Sequence, residues 1–199
     1  MADEIRRQRL IVVLRRVEPQ ARLLEIAREL ADAGARIFEV TFDSPSAADD
    51  ITALREELSE HEVMIGAGTL LGVEDVAAAV RASADFGVAP VFDEQVLTAA
   101  VEASLPFVAG ALTPTEVARA WSGGATFVKL FPASVAGPEM VRELRGPLPN
   151  IELVPTGGID ASNAAAFLDA GAAAVGIGGA LLRADRAGRR WLIETVRRA

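Results

Sequence analysis

The chain has no cysteine and one histidine, and these shortages exclude several kinds of chemistry. Without thiols the 199 residues form no disulfide, no thiolate nucleophile and no cysteine metal site. The single histidine, His61, lies in a polar turn, where we expect a solvated loop residue. Because no cluster of His, Asp and Glu has the spacing of metal ligands, the sequence predicts no metal centre.

Lysine is almost absent as well. Every basic residue but one is an arginine, and the exception is Lys129, in the middle of the apolar run Ala125–Pro132. An amine can lose its proton and add to a carbonyl, whereas a guanidinium effectively cannot. One lysine placed in a buried strand therefore indicates a need for an amine in particular.

Positive charge is in short supply overall. The net charge of −8 argues against broad binding to nucleic acid, because phosphate backbones would be repelled. The polar start Met1–Arg9 is not a secretory signal. The apolar stretch Ala164–Leu182 contains Asp169 and a turn at Ala170-Gly171, so we read it as a helix and a strand, not as a membrane span. We expect a cytoplasmic protein that binds a small molecule, with no nucleic-acid or membrane partner.

Eight short apolar runs alternate with longer amphipathic stretches along the whole chain. Such an alternation predicts an α/β fold, and eight repeats favour a (β/α)8 TIM barrel over an open doubly wound sheet. The chain is short for that barrel, which typically takes about 250 residues, so its connections must be minimal. We expect one compact domain over residues 1–199, with residues 1–9 as a short helix that caps the bottom of the barrel.

The element boundaries follow from these patterns. The predicted strands are Leu10–Leu14, Arg36–Thr41, Val63–Gly66, Asp85–Val88, Phe107–Ala109, Thr126–Leu130, Ile151–Val154 and Ala173–Ile177. The predicted helices are Gln20–Ala33, Ser46–Leu58, Val73–Ala82, Asp93–Glu102, Pro114–Trp121, Gly137–Leu144, Ala161–Asp169 and Asp185–Arg198.

Charged residues on two predicted strands stand out, because active sites of such barrels form at the carboxyl ends of the strands. Side chains alternate along a strand, so Glu39 shares a face with Ile37 and Thr41. The same alternation puts Lys129 on a face with Phe127 and Phe131. The inner face near the barrel mouth suits both charges, which would then lie close together. A structural ion pair is the alternative, but buried pairs are seldom retained for stability alone, so we favour a functional pair.

Two glycine pairs follow the last two predicted strands, Gly157-Gly158 and Gly178-Gly179. Backbone N–H groups at such places bind phosphate, and a phosphate site after strands seven and eight recurs in these barrels. Glycines that merely form tight turns are the alternative. The recurrence at these two strands favours a phosphate site.

Several motifs together carry a resemblance to a known family. The segments Glu39-Val40-Thr41, Gly66–Thr69, Pro90, Lys129–Ala133 and Pro155–Ile159 occur in the order seen in 2-keto-3-deoxy-6-phosphogluconate (KDPG) aldolases. That family also includes 4-hydroxy-2-oxoglutarate (KHG) and phosphogalactonate aldolases. The resemblance covers nearly the whole chain. It implies a homotrimeric class I aldolase that needs no metal and no cofactor and acts on pyruvate and a phosphorylated aldehyde.

The resemblance also implies roles for individual residues. Lys129 matches the Schiff-base lysine, and Glu39 matches the general acid and base. The expected substrate-binding residues are Arg15 and Thr69 near the pyruvate carboxylate, Thr41 on the face of Glu39, Phe131 and Pro90 as pocket walls, and Gly157, Gly158, Gly178 and Gly179 at the phosphate end.

The chain departs from the family pattern at two positions. Many members carry an arginine four residues after the catalytic glutamate, where this chain has Asp43, so carboxylate binding must depend on Arg15 and Thr69. Gly179 stands where members often have serine, which removes one hydroxyl from the phosphate end. A phosphosugar epimerase or isomerase on a related barrel and a non-catalytic phosphoanion-binding assembly protein are the alternative functions.

Overall fold

Seven parallel strands form one curled sheet in the computed structural model, which describes residues 1–199. They are β1 (Leu10–Leu14), β2 (Ile37–Thr41), β3 (Met64–Gly68), β4 (Gly87–Val88), β5 (Phe107–Ala111), β6 (Phe127–Leu130) and β7 (Val175–Ile177). Their order across the sheet is β6-β5-β4-β3-β2-β1-β7. The carboxyl ends of all seven strands therefore meet at one edge of the curled sheet.

Helices follow the strands and cover the outside of the sheet. They are α1 (Ala2–Gln8), α2 (Gln20–Asp32), α3 (Ala47–Glu57), α4 (Val73–Arg81), α5 (Glu94–Glu102), α6 (Pro114–Ser122), α7 (Ala133–Arg145), α8 (Ala164–Asp169), α9 (Gly179–Arg183) and α10 (Arg186–Arg198). None of them combines the length and the apolar character that crossing a membrane would require.

The predicted strand Ile151–Val154 does not form a regular strand. It makes one isolated bridge, between Leu153 and Val128, and Thr156, just beyond the predicted strand, makes another with Gly176. Four backbone hydrogen bonds of 2.8–3.2 Å nevertheless join residues 152–156 to β6, and two of 2.9 Å join Leu153 and Pro155 to Ala173 and Gly176. Because Pro155 has no N–H group to donate, the ladder is interrupted there. Seven of the eight predicted strands are present. The remaining one, Ile151–Val154, lies between β6 and β7 without regular pairing.

Two helical predictions need correction. The helix predicted from Gly137 begins at Ala133, and Gly137 interrupts it with a φ of 70°, a conformation that favours glycine. The helix α9 was not predicted, because its five residues continue an apolar, glycine-rich stretch that resembles the end of a strand.

The buried side chains form two layers, as the alternation along the strands requires. The larger layer lies between the sheet and the surrounding helices and contains Val12, Phe38, Val128 and Leu130. The smaller layer, which we call the inner cluster, fills the concave side. It consists of Ile5, Ile11, Ile37, Phe86, Val88, Val108, Phe127, Val154 and Ala174. Ile5 comes from α1 and is fully buried, so this helix covers one end of the inner cluster.

Candidate active site

Lys129 and Glu39 meet on the concave side of the sheet, above the inner cluster. The Lys129 ammonium donates to Oε1 of Glu39 at 3.4 Å, and their side chains are 3% and 2% exposed. Strand alternation puts both there, since Ile37 and Phe127, two residues earlier on β2 and β6, belong to the inner cluster. The arrangement holds a primary amine beside a carboxylate and almost out of water.

On two of the three strands between these two residues, β3 and β5, a glycine lies on the same face. In the register of the sheet, Glu39 pairs with Gly66 on β3, and Lys129 pairs with Gly110 on β5. The long side chains of Glu39 and Lys129 can therefore approach each other across the concave side. The Nζ atom of Lys129 also lies 5.6 Å from the ring centroid of Phe131.

Arg15 and Asp43 form a second charged group at the carboxyl end of the sheet. Oδ2 of Asp43 lies 3.1 Å from Nη1 of Arg15 and 3.1 Å from Nε of Arg16. The Arg15 guanidinium also donates to the Thr69 hydroxyl at 3.5 Å. Asp43 thus contacts two arginines and does not line the cavity that contains Lys129.

The environment of Asp43 favours its ionised form. Partial burial opposes ionisation, but the Thr41 hydroxyl and then the charges of Arg15 and Arg16 outweigh it and lower the pKa of Asp43 below its usual value. The Thr41 hydroxyl also lies 3.5 Å from the Leu14 carbonyl oxygen. Asp43 is therefore an anion that neutralises part of the positive charge at this edge.

Thr69 has an unusual backbone. Its φ is 59°, in the left-handed region that a β-branched residue rarely adopts. Such conformations cost about 1–3 kcal/mol and cluster at functional sites. Here the turn after β3 brings the Thr69 hydroxyl to Arg15.

One cavity of about 520 Å³ opens beside Lys129. Of the residues expected at the site, it is lined by Arg15, Lys129, Phe131, Gly157, Gly158, Gly178 and Gly179. Glu39, Thr41, Thr69 and Pro90 do not line it. Glu39 contacts the cavity only through Lys129, and Thr41 is fully buried. Thr69 contacts Arg15. Pro90 packs on Gly110, where a Cβ would lie 2.2 Å from the Pro90 carbonyl carbon.

The glycine pairs lie together at the other end of the cavity. Gly157 and Gly158 have φ values of 93° and 80°, so these positions favour glycine. The N–H groups of Gly157, Gly158 and Gly178 donate to no acceptor within the protein. Uncommitted N–H groups that converge on one cavity suit an anionic ligand.

Three polar residues of the cavity were missed as site residues, Thr156, Asp160 and Arg183. Thr156, 8% exposed, lines the cavity and packs against Gly176 on β7. It belongs to the motif Pro155–Ile159, so attention to its hydroxyl would have found it. Arg183, the last residue of α9, also lines the cavity, and no sequence pattern indicated it.

Comparison with known proteins agrees with this geometry. A family model described as "Aldolase: KDPG and KHG aldolase" matches residues 1–192. The 2-dehydro-3-deoxy-phosphogluconate aldolase of Treponema pallidum (strain Nichols) is 38% identical over 159 residues, 79% of this chain and 73% of that protein. The 2-dehydro-3-deoxy-6-phosphogalactonate aldolase of Escherichia coli (strain K12) is 33% identical over 182 residues, 91% of this chain and 88% of that protein.

A solved structure shares both the fold and part of the sequence. The KDPG aldolase from Legionella pneumophila, with pyruvate captured as a covalent carbinolamine intermediate, superposes with a TM-score of 0.79 at 25% identity, covering 100% of this chain and 95% of that one. With a family match over nearly its full length and aldolase relatives above 30% identity, this chain belongs to the KDPG and KHG aldolase family.

Proposed function

We propose that this chain is a class I aldolase that reversibly cleaves KDPG, or a related 2-keto-3-deoxy-6-phospho sugar acid, to pyruvate and glyceraldehyde 3-phosphate. The observation that carries the proposal is the buried contact of 3.4 Å between the Lys129 amine and the Glu39 carboxylate. The capture of pyruvate as a carbinolamine in the Legionella relative supports the same chemistry for this site.

Lys129 is the nucleophile. Its ammonium passes a proton to Glu39, and the neutral nitrogen attacks the C2 ketone to form a carbinolamine. Glu39 then returns this proton to the carbinolamine hydroxyl, which leaves as water, so the Glu39 carboxylate is regenerated. The product is a protonated imine, whose positive nitrogen can accept an electron pair. This chemistry needs no metal, because the imine itself supplies the electron sink.

Glu39 moves the protons in the steps that follow. Its carboxylate, through a water molecule, takes the proton of the C4 hydroxyl while the C3–C4 bond breaks. The bonding electrons pass to the imine and form an enamine, and the aldehyde leaves. Protonation of the enamine at C3 by Glu39 and hydrolysis of the resulting imine release pyruvate and regenerate the Lys129 amine.

Arg15 and Thr69 bind the substrate carboxylate. Arg15 lines the cavity on the side of Lys129 and already contacts the Thr69 hydroxyl at 3.5 Å. Thr41 supports this end from below. Phe131 forms a wall of the cavity beside the reacting carbons, and Pro90 supports the site by packing on Gly110, the register partner of Lys129. The four glycines at the other end of the cavity bind the phosphate through their N–H groups.

Four further features belong to the same proposal. Residues 151–156 close the sheet between β6 and β7 as an eighth strand, which completes a (β/α)8 barrel, and their six backbone hydrogen bonds to the neighbouring segments support this. The chain forms one domain over residues 1–199, with α1 as its cap. It assembles as a homotrimer and works in the cytoplasm, as the family resemblance implies.

A trapping experiment tests the chemistry. Borohydride added with pyruvate should reduce the imine and leave a stable adduct, located on Lys129 by peptide mass spectrometry. Lys129→Arg keeps the charge but removes the amine, so it should abolish both adduct and turnover while the protein stays folded. Activity that survives Lys129→Arg would instead favour an epimerase or isomerase. Assays with KDPG and with its phosphogalactonate counterpart, which differ at C4, decide the substrate.

A further inference from the structure

Arg183 lies against the glycine pair at the phosphate end of the cavity. A Cβ built on Gly179 would lie 2.7 Å from Nη1 of Arg183 and 3.4 Å from its Cζ. The guanidinium therefore covers the α-carbon of Gly179 and occupies space that a side chain at that position would need. Glycine at position 179 therefore leaves room for the end of the Arg183 side chain.

The guanidinium of Arg183 is not engaged within the protein. Two arginines line the cavity, and Arg15 is paired with Asp43 at 3.1 Å. Arg183 makes no salt bridge, and none of its N–H groups donates to a protein acceptor. The neighbouring carboxylate, Asp160, is occupied: its Oδ1 accepts from the N–H of Ser162 at 2.8 Å and from the Ser162 hydroxyl at 2.5 Å.

The chemistry of this end of the cavity suits a phosphate group. The uncommitted N–H groups of Gly157, Gly158 and Gly178 supply neutral donors, and Arg183 adds a planar cation with several donors. Arginine binds phosphate with paired, charge-assisted hydrogen bonds that are about twice as strong as neutral ones. A cation here also offsets the negative charge of Asp160, which lines the same end of the cavity.

We propose that Arg183 determines the preference of this enzyme for a phosphorylated substrate, and that it does so from the space left by glycine at position 179. The inference rests on the proposed function and adds to it the residue that distinguishes a phosphorylated aldehyde from an unphosphorylated one.

The test compares two aldehydes in the direction of synthesis. With pyruvate as the partner, kcat/KM is measured for glyceraldehyde 3-phosphate and for glyceraldehyde. Arg183→Gln should lower kcat/KM for the phosphorylated aldehyde roughly 10- to 100-fold, in line with the loss of charge-assisted hydrogen bonds. The value for glyceraldehyde, which has no phosphate for the guanidinium to bind, should fall much less. Arg183→Lys, which keeps the charge but loses the paired donors, should fall between Arg183→Gln and the wild type.

Arg186→Gln is the matched control, since Arg186 is exposed nearby and does not line the cavity. It should leave both aldehydes unaffected. An equal loss for the two aldehydes in Arg183→Gln, or no loss for either, would overturn the role of Arg183. Failure of the proposed function is distinguishable, because the wild type would then form no pyruvate adduct with borohydride and would turn over neither aldehyde.

Discussion

The carboxylate of Glu39 occupies the space beside the α-carbon of Gly68. A Cβ built on Gly68 would lie 2.1 Å from Oε1 of Glu39 and 2.5 Å from its Cγ, far closer than atoms of real side chains approach. The two residues lie on the neighbouring strands β2 and β3. Because Oε1 is also the atom that accepts from Lys129, glycine at position 68 permits the contact on which the proposed chemistry depends.

Gly68→Ala should therefore displace Glu39 and lower kcat. A positioned acid or base contributes typically 10²- to 10⁴-fold to the rate, so we expect a loss of about 100-fold or more. The measurement is steady-state kinetics, with circular dichroism to check the fold. Gly146→Ala is the control, since a Cβ there meets nothing closer than 3.4 Å. An unchanged kcat in Gly68→Ala would show that the Glu39 carboxylate acts equally well without glycine at position 68.

The buried pair itself can be tested by a double-mutant cycle. Glu39→Gln leaves the Lys129 ammonium buried without a counter-charge, and Lys129→Met does the same to the Glu39 carboxylate. Breaking a buried pair in this way costs about 3–5 kcal/mol. The double variant, which buries no charge, should recover much of that loss. Urea unfolding of the four proteins gives the free energies.

Both single variants should also lose turnover, but for different reasons. Lys129→Met has no nucleophile and should form no adduct with pyruvate and borohydride. Glu39→Gln keeps the amine and should still form one, more slowly. If the losses of stability in the two single variants simply add in the double variant, the two groups do not interact in solution as they do in the structure.

Asp43 predicts a dependence of stability on pH. Its pKa is lower in the folded protein than its ordinary value of 3.8, so the folded state binds the proton less tightly than the unfolded state. The stabilisation is therefore fully present above the unfolded pKa and is lost as the pH falls through the folded pKa. The free energy of unfolding should differ most between the wild type and Asp43→Asn above about pH 5, and the difference should shrink below about pH 4.

Chemical unfolding of the two proteins at several pH values measures this difference. Asp169→Asn, at an exposed position without a salt bridge, controls for the loss of a carboxylate alone. A difference between wild type and Asp43→Asn that grows as the pH falls would contradict the predicted direction.

Ile5 predicts that α1 is an integral part of the core. The side chain is fully buried in the inner cluster, and truncation of a buried isoleucine to alanine typically costs about 2–5 kcal/mol. Ile5→Ala should lower the free energy of unfolding by that amount. Leu71→Ala, at a side chain that is 58% exposed, should change it by less than about 0.5 kcal/mol. Equal effects of the two substitutions would place α1 outside the cooperative core.

Local patterns were sufficient to predict most elements and the position of the reactive pair. The run Leu10–Leu14 has the exact bounds of β1, because apolar and β-branched residues without a breaker favour a buried strand. Alternation alone placed Glu39 and Lys129 on the concave face. Each of these inferences depends on residues that are close together in the chain.

The features that sequence reasoning missed arise between distant segments. Whether residues 151–156 pair as a strand depends on hydrogen bonds to β6 and to residues 173–176, and on the side that faces β7 Pro155 has no N–H group to donate. The position of Arg183 over Gly179 depends on a five-residue helix that has no periodic pattern of its own. The contact of Asp43 with Arg15 joins the turn after β2 to the end of β1, and neither segment indicates it alone.

The inner cluster restricts access to the Lys129 nitrogen to one side. Phe127 lies two residues before Lys129 on the same face and belongs, with Ile5, to the inner cluster. No residue of this cluster is more than 2% exposed, so the cluster closes that side of Lys129 to solvent. In the proposed reaction, pyruvate, aldehyde, protons and the hydrolytic water all pass through the cavity on the other side of Lys129. An aldehyde that remains in this cavity would exclude solvent from the proposed covalent intermediate, so the rate of aldehyde release would set the lifetime of that intermediate.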